Sequence, residues 1–197
     1  MDPLRLSLCD RHSLPEKAGA SGGAAVFSPC GRYRWWLRRQ WQSGAPPLLF
    51  LGLNPSRADG QRDDPTLRRL VRFATGWGYG SLEVLNLFSR VAADPAALRR
   101  CRDPVGADTD AWIRWRLREL AGAGLAGDVW LGWGRGGSWR GRDRQLLALL
   151  EQYNISGLCL GATAGGQPRH PLYLPATGRL QPFTPSWGQR NAMAAPQ

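Results

Sequence analysis

Residues 50–66 read FLGLNPSRADGQRDDPT: an apolar run that stops at Gly52, an Asn-Pro step, a polar loop, and a second proline at Pro65. The run begins at Leu48, and LLFLGL over 48–53 has the length and continuity of a strand buried on both faces. Beyond the loop, Asp64 and Pro65 stand in the positions of an N-cap and a first helical residue, and Leu67, Leu70, Val71 and Ala74 follow at i, i+3, i+4 and i+7. The stretch predicts strand, loop, helix, with a loop more polar than a simple connection requires.

The same alternation continues toward the C-terminus. SLEVLNLF at 81–88, DVWLGWG at 128–134 and GLCLGAT at 157–163 are three further apolar runs of strand length. Between them lie Asp94-Pro95, which caps a short helical turn, an amphipathic stretch over about 107–121, and a leucine-rich helical pattern over about 142–153. This βαβαβαβ order predicts a three-layer α/β/α domain on a four-stranded parallel sheet, with right-handed crossovers that bring every strand's carboxyl end to one edge. Upstream, AAVFSPCGRYRWWLRR over 24–39 reads as an N-terminal β-hairpin turning at Ser28-Pro29-Cys30-Gly31, joined to the core by QSGAPP. One domain is expected over 24–187, its core and a late motif over 48–175, with loosely held segments at 1–23 and 188–197.

The 197 residues carry 26 Lys+Arg against 15 Asp+Glu, a formal net charge of +11. That balance favours a polyanionic partner, nucleic acid before membrane. Its rival explanation is composition: Lys17 is the sole lysine, and abundant arginine, glycine, alanine and proline also follow from a GC-rich genome. Cys9, Cys30, Cys101 and Cys159 show no Cys-x-x-Cys spacing, and His12 and His170 are the only histidines, so no metal site is expected. No phosphate-loop or dinucleotide fingerprint occurs, and no cofactor is expected. The start is too polar for a leader and no run approaches the ~18 apolar residues of a membrane span, so a cytoplasmic monomer with free thiols is the expectation.

Ligand crevices of open α/β sheets lie beyond the strands' carboxyl ends, and the four exits here are distinctive. They read GLNPSRADGQRDDPT, NLFSR, GWGRGG and GATAGGQPRHPLYLP. Asn54, Asn86, Arg135, Arg169 and His170 are expected to turn polar groups into one crevice, with Gly52 and Gly134 admitting a ligand close to backbone. Any single exit is also explained as a turn, Asn54 by an Asx-turn and His170 by a structural hydrogen bond; four exits together favour a site. Asp63 is the freer candidate for a general base, since Asp64 is explained as an N-cap, and Thr66 is a possible donor to ligand. Arg142, grouped with Arg135, Arg140 and Arg144, is a candidate for phosphate, whereas Arg68, Arg69 and Arg72 fall on a solvated helix face. Trp133 is the candidate for stacking, ahead of Tyr33, Trp35 and Trp36, which suit a half-buried hairpin.

Gly52-Leu53-Asn54-Pro55-Ser56 resembles the Gly-x-Asn-Pro-Gly motif of the mismatch-specific and thymine DNA glycosylases in the uracil-DNA glycosylase superfamily. RHPLYLP around His170 is similar to that superfamily's second motif, and a four-strand parallel sheet is its architecture. More closely, the span from about 26 to 175, with FSPCGRYRWW, GLNPS, DDPT, WGYG, NLF and GQPRHPLYLP, resembles a bacterial family known as domain of unknown function 1643. The glycosylase resemblance implies hydrolysis of the N-glycosidic bond of a flipped or modified base, in DNA more than RNA, as in repair or base modification. It implies that Asn54 positions the attacking water, that His170 donates to the departing base, and that Gly52, Pro55, Ser56, Asp64 and Thr66 border the pocket. Ser56 replaces the motif's last glycine, and Leu172 stands where a small polar residue usually follows His-Pro. Three alternatives stay open: a non-catalytic nucleic-acid-binding module, a hydrolase or transferase acting on a free modified nucleotide, and a pocket for an unrelated small metabolite in a chain whose charge reflects genome composition alone.

Overall fold

Residues 22–122 and 127–185 are described by the computed structural model. The hairpin forms β1 (Gly23–Phe27) and β2 (Arg34–Gln40). Then follow β3 (Pro47–Gly52), α1 (Pro65–Gly76), β4 (Ser81–Asn86), α2 (Pro95–Arg100), α3 (Thr109–Gly122) and β5 (Asp128–Leu131). A 3-10 stretch (Gly134–Gly141) leads into α4 (Arg142–Gln152), and β6 (Gly157–Cys159), a 3-10 turn (Pro171–Tyr173) and β7 (Gln181–Pro182) complete the described chain. The segments expected to be loosely held lie outside the described residues, except Gly22 and Gly23, the latter opening β1.

The starts of α1 and α2 follow the local chemistry that the sequence announces. Asp64 accepts the Leu67 N–H at 2.8 Å ahead of Pro65, and Asp94 accepts the Ala97 N–H at 2.7 Å ahead of Pro95. Each side chain satisfies one of the backbone donors a helix leaves unpaired, and the proline occupies a position where its missing N–H costs nothing.

The fold is α/β, but the expected four-stranded parallel sheet is corrected to a mixed sheet of seven strands in the order β1-β2-β4-β3-β5-β6-β7. β4, β3, β5 and β6 run parallel to their neighbours, β2 joins β4 antiparallel, and β7 pairs antiparallel with β6. The hairpin is thus part of the sheet, and β2 contributes Trp35 to one core and Leu37 to the other. β7 is only two residues long, too short for a periodic pattern to announce it.

Alternate residues of the central strands serve two cores, as a pleat covered on both sides requires. Leu49, Leu51, Val129 and Leu131 pack with Trp112 and Leu117 of α3 and Leu146 and Leu150 of α4. On the other face Leu48, Phe50, Leu82 and Trp130 pack with Leu67, Leu70 and Phe73 of α1. The chain leaves β3 through α1 on one face toward β4, and leaves β5 through α4 on the opposite face toward β6. β3 and β5 are neighbours, so the connections diverge between their carboxyl ends and open a crevice there.

Candidate functional site

A cavity of about 490 Å³ occupies that crevice. Gly52, Leu53 and Asn54 border it after β3, Asn86 at the end of β4, Gly134 and Arg135 after β5, and His170 from the late loop. The polar loop of residues 53–64 contributes to one wall, and its aspartates are engaged. Asp59 Oδ1 accepts the N–H groups of Gln61 and Arg62 at 2.8 and 2.7 Å, and Asp64 Oδ2 accepts that of Ala58 at 3.3 Å. Two arginines of β2 tie the loop to the sheet: Arg34 Nη1 donates to the Ala58 carbonyl at 2.9 Å and Arg39 Nη2 to the Asp59 carbonyl at 2.7 Å.

Asn54 and His170 are fixed in complementary hydrogen-bonding states. Asn54 Nδ2 donates to the carbonyls of Pro55 and Ala92, both at 2.9 Å. Both neighbours are acceptors, so only one amide orientation is possible, and Oδ1 accepts nothing from the described residues. The Leu172 N–H donates to His170 Nδ1 at 3.3 Å, which leaves the proton of the neutral ring on Nε2. Burial lowers the imidazole pKa below its ordinary 6.5, against a smaller opposing pull from the Asp64 charge. The cavity therefore holds a fixed carbonyl acceptor and a neutral N–H donor.

Two glycines make room for this arrangement. A Cβ on Gly52 would lie 2.8 Å from Asn86 Nδ2 and 2.9 Å from a Phe50 ring carbon, so the glycine that ends β3 is required by the amide lying over it. Gly134 has φ +68° and donates its N–H to the Pro168 carbonyl at 2.9 Å, holding the β5 exit against the late loop. A buried relay supports the same turn: Gln167 Nε2 donates to Asp143 Oδ2 at 2.7 Å, and Trp133 Nε1 donates to Gln167 Oε1 at 2.7 Å. Arg69 of α1 donates through Nε to the Pro171 carbonyl at 2.9 Å and through Nη2 to that of Leu174, clamping the loop that carries His170.

A family model described as protein of unknown function (DUF1643) matches residues 34–172, well over half of the chain. The chain belongs to that family. No match is found among curated proteins or solved structures. The DUF1643 region begins at Arg34 of the cavity wall and ends just after His170, so it encloses every strand exit that builds the cavity.

Within the DUF1643 region, the cavity brings together Gly52, Asn54, Ser56, Asp64, Thr66, Asn86, Trp133, Gly134, Arg135 and His170 from the sequence reading. Pro55 is buried beside them and accepts the Ala92 N–H at 3.0 Å without lining the space. Asp63 is outside it, ion-paired to Arg39 at 2.7 Å, so its carboxylate is engaged across the loop and is not placed to act as a base. Arg142 is also outside: 5% exposed, it pairs with Asp110 at 2.6 Å and donates to the Leu87 carbonyl at 3.0 Å, a structural tie with no face toward a phosphate. Arg169 is exposed but donates to the Ala162 carbonyl at 3.0 Å and does not border the cavity. Trp133 borders the cavity, yet at 1% exposure with its indole committed to Gln167 it offers no stacking face. Arg69, expected on a solvated face, is the loop clamp, and Trp35 is core, stacked on Trp112 at 6.3 Å.

Sequence reasoning missed Arg34, Arg99 and Tyr173, which also line the cavity. Arg99 is exposed, and Tyr173 is 84% exposed with its ring 6.3 Å from that of His170. The available signals were an arginine inside the apolar alternation of the hairpin and an aromatic three residues beyond His170. No helix of the described residues is long and apolar enough to cross a membrane, and no group of three or more His, Cys, Asp or Glu among them is placed to hold a metal.

Proposed function

We propose that this chain is a hydrolase acting on nucleic acid or a nucleotide, cleaving the N-glycosidic bond of a flipped or modified base. The observation that carries the reading is the pairing, on one cavity, of the fixed Asn54 carbonyl acceptor with the neutral His170 N–H donor. It agrees with the resemblance of GLNPS and RHPLYLP to the uracil-DNA glycosylase motifs. In this reading Asn54 Oδ1 accepts a hydrogen bond from a water and aims its oxygen at the anomeric carbon. The C–N bond breaks with its electron pair passing to the base, while the sugar becomes cationic and captures the water oxygen. His170 Nε2–H donates a hydrogen bond to the base as negative charge gathers there. In this reading the water's proton passes to a carboxylate of the cavity wall, Asp64 or Asp94, each of which also caps a helix. Exposed Arg99 and Arg135 at the cavity border meet phosphates, the sequence-independent part of recognition.

The test is base release from DNA and RNA oligonucleotides carrying uracil, hypoxanthine or oxidised and alkylated bases, and from the matching mononucleotides. Wild type should release at least one base. Asn54→Ala should lower turnover by about 100-fold or more while gel-shift affinity stays within a few-fold. Binding of polymer without release from any substrate would instead make the chain a binding module. Release from mononucleotides alone would place it among enzymes of free nucleotides.

A further inference from the structure

Arg34 is the cavity residue least explained by the fold. It is 4% exposed and lies on the cavity wall, yet among the described residues no carboxylate oxygen comes within 4.0 Å of its guanidinium. Its two hydrogen bonds go to neutral acceptors, the Ala58 carbonyl at 2.9 Å and Asn86 Oδ1 at 3.3 Å, and Nε is buried without a partner. A buried charge left unpaired costs several kcal/mol, which is why such groups are nearly always matched by an opposite charge. Burial pushes the Arg34 pKa down to about 10, and the nearby Arg39 charge adds to that while Asp64 and Asp59 oppose it. Arg34 remains a cation at neutral pH, with the nearest carboxylates, Asp64 and Asp59, acting on it from beyond contact distance.

Asn86 passes that charge into the cavity. Its Oδ1 accepts from Arg34, which fixes the amide so that Nδ2 is the donor, and Nδ2 has no partner among the described residues. The same Nδ2 packs over Gly52 at the strand exit, a close approach that a side chain on that residue would prevent. A guanidinium bonded to the amide oxygen polarises the amide and strengthens its N–H as a donor.

We infer that the ligand group reaching Arg34 and Asn86 is an anion, neutralised by the Arg34 guanidinium and hydrogen-bonded by Asn86 Nδ2. The inference rests on the proposed function only for the two sources of that anion: the ionised lactam edge of a base, or the phosphate of a mononucleotide. The shared chemistry is a delocalised oxyanion in a cavity whose lining also includes the apolar Phe50, Leu67, Leu70 and Val84.

Calorimetric titration of the full chain separates the cases without any turnover. At mildly alkaline pH, where 5-nitrouracil is ionised and uracil is not, wild type should bind one anionic probe, 5-nitrouracil or inorganic phosphate, at least about tenfold more tightly than uracil. Preference for 5-nitrouracil identifies the base edge as the source, and preference for phosphate identifies the nucleotide. Arg34→Gln should abolish the preference. Equal binding of all three probes, or a preference that survives Arg34→Gln, overturns the inference. Should Arg34→Gln not fold, Asn86→Asp supplies the countercharge internally: its melting temperature should rise and the anion preference should vanish. An intact preference in Asn86→Asp would equally overturn it. Anion preference without base release from any substrate would sink the hydrolase reading and leave this inference standing; base release without anion preference would do the reverse.

Discussion

Replacing Gly52 with alanine tests whether the end of β3 is shaped by the amide above it. The added Cβ meets Asn86 Nδ2 at 2.8 Å and a Phe50 ring carbon at 2.9 Å, both closer than carbon tolerates. Phe50 has no room to retreat, and Asn86 can move only toward the cavity at the expense of its bond to Arg34. Phe50 is 2% exposed, packs edge-on against Trp130 at 4.9 Å, and has its opposite ring edge against Gly132, where a Cβ would lie 2.5 Å away. Asn86 is held by Arg34 and backed by the sheet. Overpacking of this kind costs about 1–3 kcal/mol, and displacement of Asn86 adds the loss of a hydrogen bond to a charged group, about 1.5–3 kcal/mol in full and less if the bond only lengthens.

A destabilisation of about 2 kcal/mol is therefore expected, seen as a lower urea midpoint at unchanged m-value and a fall of about 4–8 °C in Tm. Affinity for the cavity ligand should fall with it, because the displaced amide is the donor. Gly76→Ala is the control. Gly76 closes α1 in an ordinary backbone conformation with nothing within 4 Å of an added Cβ, so alanine there should be neutral or gain about 0.5 kcal/mol through the unfolded chain. A Gly52→Ala protein as stable and as active as wild type would refute the steric reasoning, and with it the assigned position of Asn86.

His170 and the arginines give two further expectations. The His170 pKa is lower folded than its ordinary 6.5, so the unfolded chain takes up the proton first: stability is complete above that value and declines as pH falls through it toward the folded pKa. Urea unfolding between about pH 7.5 and pH 5 should show a steeper loss for wild type than for His170→Gln, and parallel profiles would mean the ring is not buried neutral. Arg142→Met should cost about 2–3 kcal/mol, by leaving Asp110 and the Leu87 carbonyl without their donor, whereas Arg135→Ser should leave stability within about 0.5 kcal/mol. Arg135→Ser should instead weaken binding of polymer and reduce the salt slope by about one; the opposite pattern for the pair would return Arg142 to the phosphate contacts.

The α/β alternation and the positions of the caps were legible because they rest on local rules: apolar period, proline at the first helical position, an aspartate before it. The convergence of Asn54, Asn86, Gly134 and His170 followed from one topological rule about strand exits. Side-chain partners were not legible, because they depend on which residues the sheet brings near. Asp63 and Arg142 look, in one dimension, like free charges beside a crevice. Each is in fact neutralised by a partner 24 or 32 positions away, Arg39 and Asp110. Trp133 sits at the right place along the chain, but its ring direction is decided by Gln167, which no periodicity announces.

The corrected sheet and the overlooked Arg34 have one cause. A hairpin standing apart from a four-stranded sheet has no means of delivering a side chain to the carboxyl edge of that sheet. Joined antiparallel to β4, with Leu37 opposite Val84, β2 runs back along the strand whose last residue is Asn86, and the Arg34 N–H closes on the Ser89 carbonyl at 2.9 Å. The strand's first residue thereby reaches the other strand's exit, and the guanidinium arrives beside the amide. An apolar residue at position 34 would satisfy the alternation of the hairpin equally well and leave no buried cation unpaired. A cation stands there, where β2 meets the cavity, so that one side chain both ties the polar loop to the sheet through the Ala58 carbonyl and presents the charge to which the inferred anion answers.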